Sequence, residues 1–401
     1  MFNFDYLTPY LEISPQLFIA LTLSLLLTPF VGYIARRYGF IDMPLTQRPR
    51  AEKTLEQKLH DRKLPRLGGL AVLIPFLIIF VTSAELNSQM WGIILGVLIL
   101  MISGAIDDKF DLSSKQQFLF QVLAATITVI TGTSITFIQV MGIEFDLNLF
   151  SKEIFLSDMI YNFVFPADLF TIFWIVTIIN ALNWVFGIDA LGEGITIITA
   201  ITIMFIAVKT GRPELAILPA SLAASLLGYF PYNFPPSKII SGTIGTSSYG
   251  YLVAVLATIS GAKISTAILL LTLPLFDMFW VIIYRLTHFK NVPLLKRPFQ
   301  KGRIHLHHRL MNAGYTIKET VVIETSGMAV IAVLAYYLAG FGAKLLSVSI
   351  FMAIIAVIAS ITVLTSRKKR AQDRLKRIRA KNDVPPPTIE KDIPPEERYA
   401  Y

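Results

Sequence analysis

Two adjacent acids at the end of an apolar stretch are the first residues in this chain whose types suggest chemistry. Asp107 and Asp108 directly follow the apolar segment 90–106. Neighbouring carboxylates at a membrane surface are costly unless a cation or water compensates their charge. The pair therefore indicates either a divalent-metal or phosphate site, or simply a solvated helix end that carries two acids.

Two amides and a third acid form a second polar group. Asn180 and Asn183 are three residues apart, so a helix places both side chains on one face, and Asp189 follows in a glycine-containing segment. Amides within an apolar helix need hydrogen-bond partners. The pattern favours ligand contacts at a helix end or, equally, ordinary hydrogen bonds between helices.

Two further segments have the composition of phosphate-binding loops. Residues 232–248 are rich first in proline and then in glycine, and glycine-rich turns offer backbone N–H groups to phosphates. Residues 297–310 combine cationic and imidazole side chains, which suit a pyrophosphate. Those side chains are Arg297, Lys301, Arg303, His305, His307, His308 and Arg309. The segment lacks the His-x-x-x-His spacing of a helical zinc site, so phosphate contacts are favoured over metal ligation, and a plain basic loop at the membrane surface is the alternative.

The composition places these groups in a membrane protein. The chain has 401 residues, of which 54% are hydrophobic and 16% charged. It contains no cysteine, which excludes disulfides, thiolate nucleophiles and cysteine-bound metals, so a metal ion must be held by oxygen or imidazole. Mg²⁺, or Mn²⁺, is favoured. The net charge of +9 comes from basic residues near the ends of apolar segments, which indicates membrane lipids and anionic substrates and not nucleic acid.

The elements that must position the polar groups are apolar segments long enough to span a bilayer, which takes roughly 20 residues each. We predict roughly eleven of them by this criterion. They cover residues 16–35, 67–86, 90–106, 117–141, 167–185, 193–208, 213–230, 246–261, 265–286, 320–340 and 344–365. The predicted fold is an all-α integral membrane bundle of about 10 to 11 transmembrane helices with cytoplasmic catalytic loops. Residues 1–365 would form this domain, and residues 366–401 a basic, partly disordered cytoplasmic tail.

Charge asymmetry predicts the orientation in the membrane. Basic residues crowd the segment after the first span, which places that segment in the cytoplasm and the N-terminus outside. Alternation then puts segments 107–116, 186–192, 231–245 and 287–319 on the cytoplasmic side, and the acidic segment 142–166 outside. All four polar groups are thus predicted to meet on one face of the cell membrane.

Taken in order, these segments resemble the polyprenyl-phosphate N-acetylhexosamine-1-phosphate transferase family. The similarity runs from about residue 30 to 365 and rests on LPRLGGLAV (64–72), GAIDDKFDLSSKQQFLFQ (104–121), NALNWVFGIDAL (180–191), YNFPPSKIISGTIG (232–245), PLFDMFWVIIYRL (274–286) and HLHHRL (305–310). The ordered set is specific, although no single piece is.

The resemblance implies transfer of a sugar 1-phosphate, with GlcNAc as the default sugar, from a UDP-sugar to a polyprenyl phosphate. It implies catalytic roles for Asp107, Asp108, His307 and His308, and Mg²⁺ held by Asp107, Asp108 and Asn183. The substrate-binding residues that it implies are Arg66, Lys115, Asn180, Asp189, Arg303, His305 and Arg309. A homodimer is plausible for the family.

The chain departs from the family pattern at several positions. Thr243 stands where the family usually places a metal-binding acid, Phe186 where many members have an acid, and Gln117 where lysine is common. A catalytically impaired relative that binds polyprenyl phosphate or a nucleotide as a regulator or partner is therefore a second hypothesis. A transporter, the third, would need ionisable residues near the bilayer midplane, for which Asp277 is the best candidate.

Overall fold

The computed structural model describes residues 8–43, 63–140, 143–156, 159–261, 264–298, 300, 302 and 304–338. The predicted span 344–365, the basic tail 366–401 and Arg303 lie outside these residues. The division into a membrane domain and a tail therefore stays a prediction.

Helices dominate the described residues. They are α1 Thr8–Glu12, α2 Ser14–Tyr38, α3 Gly68–Ser83, α4 Ser88–Phe110, α5 Ser114–Ile130, α6 Ala167–Val185, α7 Leu191–Lys209, α8 Ile217–Asn233, α9 Gly242–Ile259, α10 Ile264–Leu270, α11 Thr272–His288, α12 Leu306–Asn312 and α13 Ile317–Leu338. Six helical segments of the described chain are long and apolar enough to cross a membrane. The predicted class, an all-α polytopic membrane protein, is confirmed.

Among the described residues, two predicted spans differ from the helices by more than the position of their ends. The span predicted at 117–141 is helical only to Ile130, because Gly132, with a φ of +110°, turns the chain out of the helix. Residues Phe137 to Val140 of the same predicted span form a strand. The span predicted at 265–286 is two helices, α10 and α11, which meet at Leu271.

Strands occupy much of the segment that was predicted to lie outside. They form two antiparallel hairpins, one from β3 (Phe137–Val140) and β4 (Ile143–Asp146), the other from β5 (Asn148–Leu156) and β6 (Met159–Pro166). Asp168, at the start of α6, connects the second hairpin to this helix. Its carboxylate accepts hydrogen bonds from the Val164 amide (2.8 Å) and the Tyr161 hydroxyl. Hydropathy alone did not reveal these strands.

A short antiparallel pair of strands places Arg66 at the bundle. Ile41–Asp42 (β1) pairs with Leu64–Pro65 (β2), and Arg66 follows immediately. The amide of Ile240 donates to the Pro65 carbonyl at 2.9 Å, and the amide of Gly68 donates to the Ile240 carbonyl at 3.0 Å. Arg66 is thus held beside the turn that starts α9.

Helix α9 lies at the centre of the bundle, where it contacts α4 and α6. Its residues Leu252 to Leu256 are fully buried. Gly104 permits the close approach of α4, since a Cβ on this residue would lie 2.5 Å from the Ile244 backbone. One helical turn beyond Gly104, α4 presents Asp107 and Asp108 to the first turn of α9.

Candidate functional site

The first turn of α9 contacts both members of the acid pair. The Thr243 amide donates to Asp108 Oδ1 at 2.9 Å, the Ile244 amide reaches Asp108 Oδ2 at 3.4 Å, and the Thr243 hydroxyl hydrogen-bonds to Asp107 Oδ2. Each acid is only 5% exposed. A helix N-terminus has unsatisfied N–H groups and a partial positive charge, so it stabilises a carboxylate placed there.

The second oxygen of Asp107 is also engaged. Its Oδ1 accepts hydrogen bonds from the Leu112 amide and from Gln117 Nε2, both at 2.8 Å. These donors come from the connection between α4 and α5 and from the first turns of α5. Gln117 thus fixes the orientation of the first acid.

Arg66 supplies a full positive charge to the same cluster. Its Nε lies 3.1 Å from Asp108 Oδ1 and its Nη1 lies 3.5 Å from the exposed Asp111 carboxylate. Burial alone would lower the pKa of Arg66, but the surrounding carboxylates, Asp108 foremost, outweigh burial and raise that pKa above its usual value. The guanidinium is therefore charged at any physiological pH.

A polar cleft with a volume of about 220 Å³ opens between the end of α6, the start of α7 and the turn before α9. Arg66, Asn183, Asp189 and Thr243 line it, together with Glu193. Residues that are far apart in the sequence therefore share one cavity. The aspartate pair lies directly behind Thr243, to which both acids are hydrogen-bonded.

Hydrogen bonds hold the two walls of this cleft together. Asp189 Oδ2 accepts from the Ser237 amide at 3.1 Å, and Asn233 Oδ1 accepts from the Ala190 amide at 2.8 Å. Glu193 accepts a hydrogen bond from the Ser241 hydroxyl. Glu193 was not among the residues predicted from the sequence, although its position as an acid at the start of an apolar span was a signal for it.

The histidine segment packs against the end of α6. His305 Nδ1 lies 2.6 Å from Asp277 Oδ2, and the Leu306 amide donates to Asp277 Oδ1 at 2.7 Å. The His305 ring also meets Trp184 edge to face, with the ring centroids 5.5 Å apart. Asp277, considered above as a possible sign of a transporter, instead orients the histidine segment.

His307 faces the rim of the cleft at Gly187. A Cβ on Gly187 would lie 2.3 Å from His307 Nε2, and Gly187 itself lines the cleft. This nitrogen is buried and has no hydrogen-bond partner among the described residues. Burial, reinforced by neighbouring His308, holds the pKa of His307 well below its usual value, so the ring is neutral.

Other predicted site residues lie elsewhere. Asn180 donates to Gln121 Oε1 at 2.8 Å and so joins α6 to α5. Lys115 is exposed on the first turn of α5. Arg309 donates to the Ile304 carbonyl at 2.7 Å, and its guanidinium lies 4.8 Å from the centroid of the Trp280 ring. These three residues do not line the cleft, and their predicted substrate contacts stay predictions.

The residues present do not fit a preformed metal site. The described part of the chain contains no group of three or more histidines and acids suited to hold a metal ion. Both oxygens of Asp107 and of Asp108 already accept from protein groups. Mg²⁺ demands near-ideal octahedral oxygen geometry and keeps several waters. The predicted set of Asp107, Asp108 and Asn183, and with it the expected Mg²⁺ or Mn²⁺, stays a prediction that this geometry does not favour.

The fold and the cleft define a polytopic helical membrane protein whose polar site lies at the ends of its helices. A family model described as glycosyl transferase family 4 matches residues 90–261, from α4 to α9. This range includes the acid pair, the amides, Asp189 and the turn before α9. The histidine segment lies beyond it.

Curated relatives extend the similarity over most of the chain. A Bacillus subtilis strain 168 protein, named as a probable undecaprenyl-phosphate N-acetylglucosaminyl 1-phosphate transferase, is 31% identical over 313 residues, which are 76% of this chain and 79% of that protein. The Escherichia coli K12 undecaprenyl-phosphate alpha-N-acetylglucosaminyl 1-phosphate transferase is 28% identical over 82% of this chain and 85% of its own length. The Mycolicibacterium smegmatis decaprenyl-phosphate N-acetylglucosaminephosphotransferase is 25% identical over 82% of this chain and 84% of its own.

The chain belongs to glycosyl transferase family 4, as its motifs had indicated. It is an enzyme of the phosphoglycosyltransferase class.

Proposed function

We propose that this protein transfers GlcNAc 1-phosphate from UDP-GlcNAc to undecaprenyl phosphate, releases UMP and thereby starts a cell-envelope glycopolymer. The relatives named above act on polyprenyl phosphates. The observation that carries the proposal is the shared cleft, in which Arg66, Asn183, Asp189 and the first turn of α9 face one cavity.

The reaction exchanges one phosphoanhydride bond for another. An oxygen of the lipid phosphate forms a bond to the β-phosphorus of the nucleotide sugar. The bond from that phosphorus to the oxygen it shares with the α-phosphate breaks, and UMP leaves with the oxygen and its electron pair. A phosphate monoester has a second pKa near 6, so the nucleophile is already ionised at neutral pH and needs no strong base. Catalysis then requires in-line positioning and neutralisation of charge.

The chain's own residues can meet both requirements. Arg66 lines the cleft with a charged guanidinium, which suits phosphate oxygens. The neutral ring of His307 is buried against Gly187 at the rim of the cleft, and its uncommitted nitrogen would reach the diphosphate once this rim shifts. Asn183 and Asp189 border the part of the cleft that would receive the nucleotide or the sugar. The polyprenyl chain would lie between helices in the bilayer.

The cellular setting belongs to the same proposal. The protein would lie in the cytoplasmic membrane with its N-terminus outside and its cleft and C-terminal tail in the cytoplasm, where nucleotide sugars occur. Association into a homodimer stays a prediction from the family resemblance.

One observation favours the second candidate function, a catalytically impaired relative that binds polyprenyl phosphate or a nucleotide. Thr243 contributes a hydroxyl where the family usually has an acid, and this hydroxyl is hydrogen-bonded to Asp107. A regulator or partner protein would need to bind the ligands without turning them over.

A transfer assay separates the two candidates. Purified full-length protein is incubated with undecaprenyl phosphate and UDP-GlcNAc that is radiolabelled in the sugar, with and without added Mg²⁺. We expect labelled lipid and an equal amount of UMP, a loss of at least about 100-fold for Asp108→Asn, and an unchanged rate for Glu85→Gln, an exposed acid between α3 and α4. Binding of undecaprenyl phosphate without any labelled lipid would contradict the transferase and support the regulator.

A further inference from the structure

The charge of the acid pair is balanced by groups that belong to the protein. The backbone N–H groups of Thr243 and Ile244 direct the positive end of α9 at Asp108, and Arg66 Nε lies 3.1 Å from the same carboxylate. Adjacent acids were expected to require a cation, and the guanidinium of Arg66 is that cation. These protein groups offset part of the cost of burying two carboxylates side by side without a divalent ion.

The space around Asp108 is also closed. Gly242 has a φ of +65°, and a Cβ on it would lie 2.3 Å from Asp108 Oδ2 and 1.9 Å from the Arg66 carbonyl oxygen. A hydrated Mg²⁺, with ligands at about 2.1 Å and several waters of its own, needs more room than a methyl group. The backbone at Gly242 and Arg66 therefore leaves no room for a hydrated ion on this side of Asp108 Oδ2.

Thr243 allows the two acids to be buried together, because its hydroxyl donates a hydrogen bond at a position where a carboxylate would repel Asp107. It hydrogen-bonds to Asp107, while its amide holds Asp108. A third acid at this position would face two buried carboxylates, and a bound cation or a shared proton would have to relieve the repulsion. The identity of residue 243 thus decides whether the cluster is closed by hydrogen bonds or by a metal ion.

We propose that the aspartate pair of this chain does not bind a divalent cation but anchors Arg66 and the start of α9, so that Arg66 provides the fixed positive charge that the substrate phosphates meet. The catalytic part of this inference rests on the proposed transferase function. The structural part, the absence of a divalent-cation site at Asp107 and Asp108, does not.

The structural part is tested by titrating Mn²⁺ into purified full-length protein and following free Mn²⁺ by electron paramagnetic resonance. We expect no saturable site in the wild-type protein up to about 1 mM Mn²⁺, and a gain of at least about tenfold in affinity for Thr243→Asp. A saturable wild-type site with a Kd below about 1 mM that Asp107→Asn removes would overturn the proposal. Failure of Thr243→Asp to gain affinity would overturn the role given to residue 243.

The catalytic part is tested by initial rates in the transfer assay. Addition of EDTA should change the wild-type rate by less than about twofold, Arg66→Gln should lower it at least about 100-fold, and Arg66→Lys should restore part of the loss. A rate that depends on Mg²⁺ and is indifferent to Arg66→Gln would overturn the proposal. If wild-type protein forms no product under any condition, the proposed function fails, and the Mn²⁺ titration still decides the structural part.

Discussion

At the scale of single residues, the sequence predicted which side chains matter better than it predicted their partners. The adjacency of Asp107 and Asp108 is visible in the sequence, but the amides of Thr243 and Ile244 that hold Asp108 are more than a hundred residues away. His305 and Asp277 are a similar case, since both were noted separately and only the fold joins them. Pairing across helices depends on packing, which local residue patterns do not encode.

The Asp277–His305 pair gives a residue-scale prediction. Asp277→Asn replaces a buried carboxylate that accepts from the His305 ring and the Leu306 amide, so one of these donors loses its acceptor. We expect the free energy of unfolding to fall by about 2 kcal/mol and the transfer rate to fall by at least tenfold, on the order of the cost of a lost buried hydrogen bond. Thermal unfolding in detergent and initial rates measure the two effects.

Asp168→Asn is the matched control for this prediction. Asp168 is equally buried and accepts from the Ser134 hydroxyl and the Val164 amide, but it holds the β5–β6 hairpin and does not line the cleft. We expect a similar loss of stability with no loss of rate per folded molecule. Equal losses of rate in both variants would show that Asp277 acts only through stability.

At the scale of secondary structure elements, the length of the apolar segments predicted the helices well and the connections between them poorly. The predicted span 167–185 coincides with α6, because a continuous apolar run leaves the backbone in lipid no alternative to helical hydrogen bonds. The prediction of one helical span over 117–141 was wrong, because Thr131 and Gly132 end α5 and the apolar residues from Phe137 form a strand. Hydropathy measures burial or lipid exposure and does not distinguish a helix from a hairpin.

The contact between α6 and the histidine segment gives an element-scale prediction. Gly187→Ala would place a Cβ 2.3 Å from His307 Nε2, so the imidazole or the end of α6 must move. We expect at least tenfold weaker binding of UDP-GlcNAc, on the order of 1.4 kcal/mol, measured by calorimetry.

Gly327→Ala serves as the comparison, because Gly327 lies in α13 and a Cβ there meets nothing within 4 Å. It should leave binding unchanged and alter stability by about 1 kcal/mol at most, in the stabilising direction, since alanine favours a helix. Unaltered binding in Gly187→Ala would remove His307 from the proposed ligand contacts.

At the scale of the whole molecule, the distribution of charged residues and the composition of the polar segments both predicted that these segments meet on one side of the membrane. The sequence placed four polar segments on one side of the membrane, and the structure brings the acid pair, Asn183, Asp189 and the histidine segment around one cleft. The sequence did not predict that Arg66 and the first turn of α9 contact Asp107 and Asp108. The Arg66 contact depends on the short β1–β2 pairing, whose strands have two residues each.

The orientation of the bundle in the membrane is open to a direct test, because the chain contains no cysteine. Single substitutions Lys115→Cys and Glu153→Cys introduce one thiol each at exposed positions, on opposite sides of the predicted topology. A membrane-impermeant maleimide should label Glu153→Cys in intact cells and Lys115→Cys only after permeabilisation. The reverse pattern would place the cleft outside the cell and contradict the use of a cytoplasmic nucleotide sugar.

The central claim, that segments far apart in the sequence build one ligand site, is tested most directly by calorimetric titration of UDP-GlcNAc into three variants. Arg66→Gln, Asn183→Ala and His307→Ala each change a different segment around the cleft. We expect each variant to keep a melting temperature close to that of the wild-type protein and to raise the Kd for UDP-GlcNAc at least about tenfold. A Kd that stays at the wild-type value in all three folded variants would contradict the central claim.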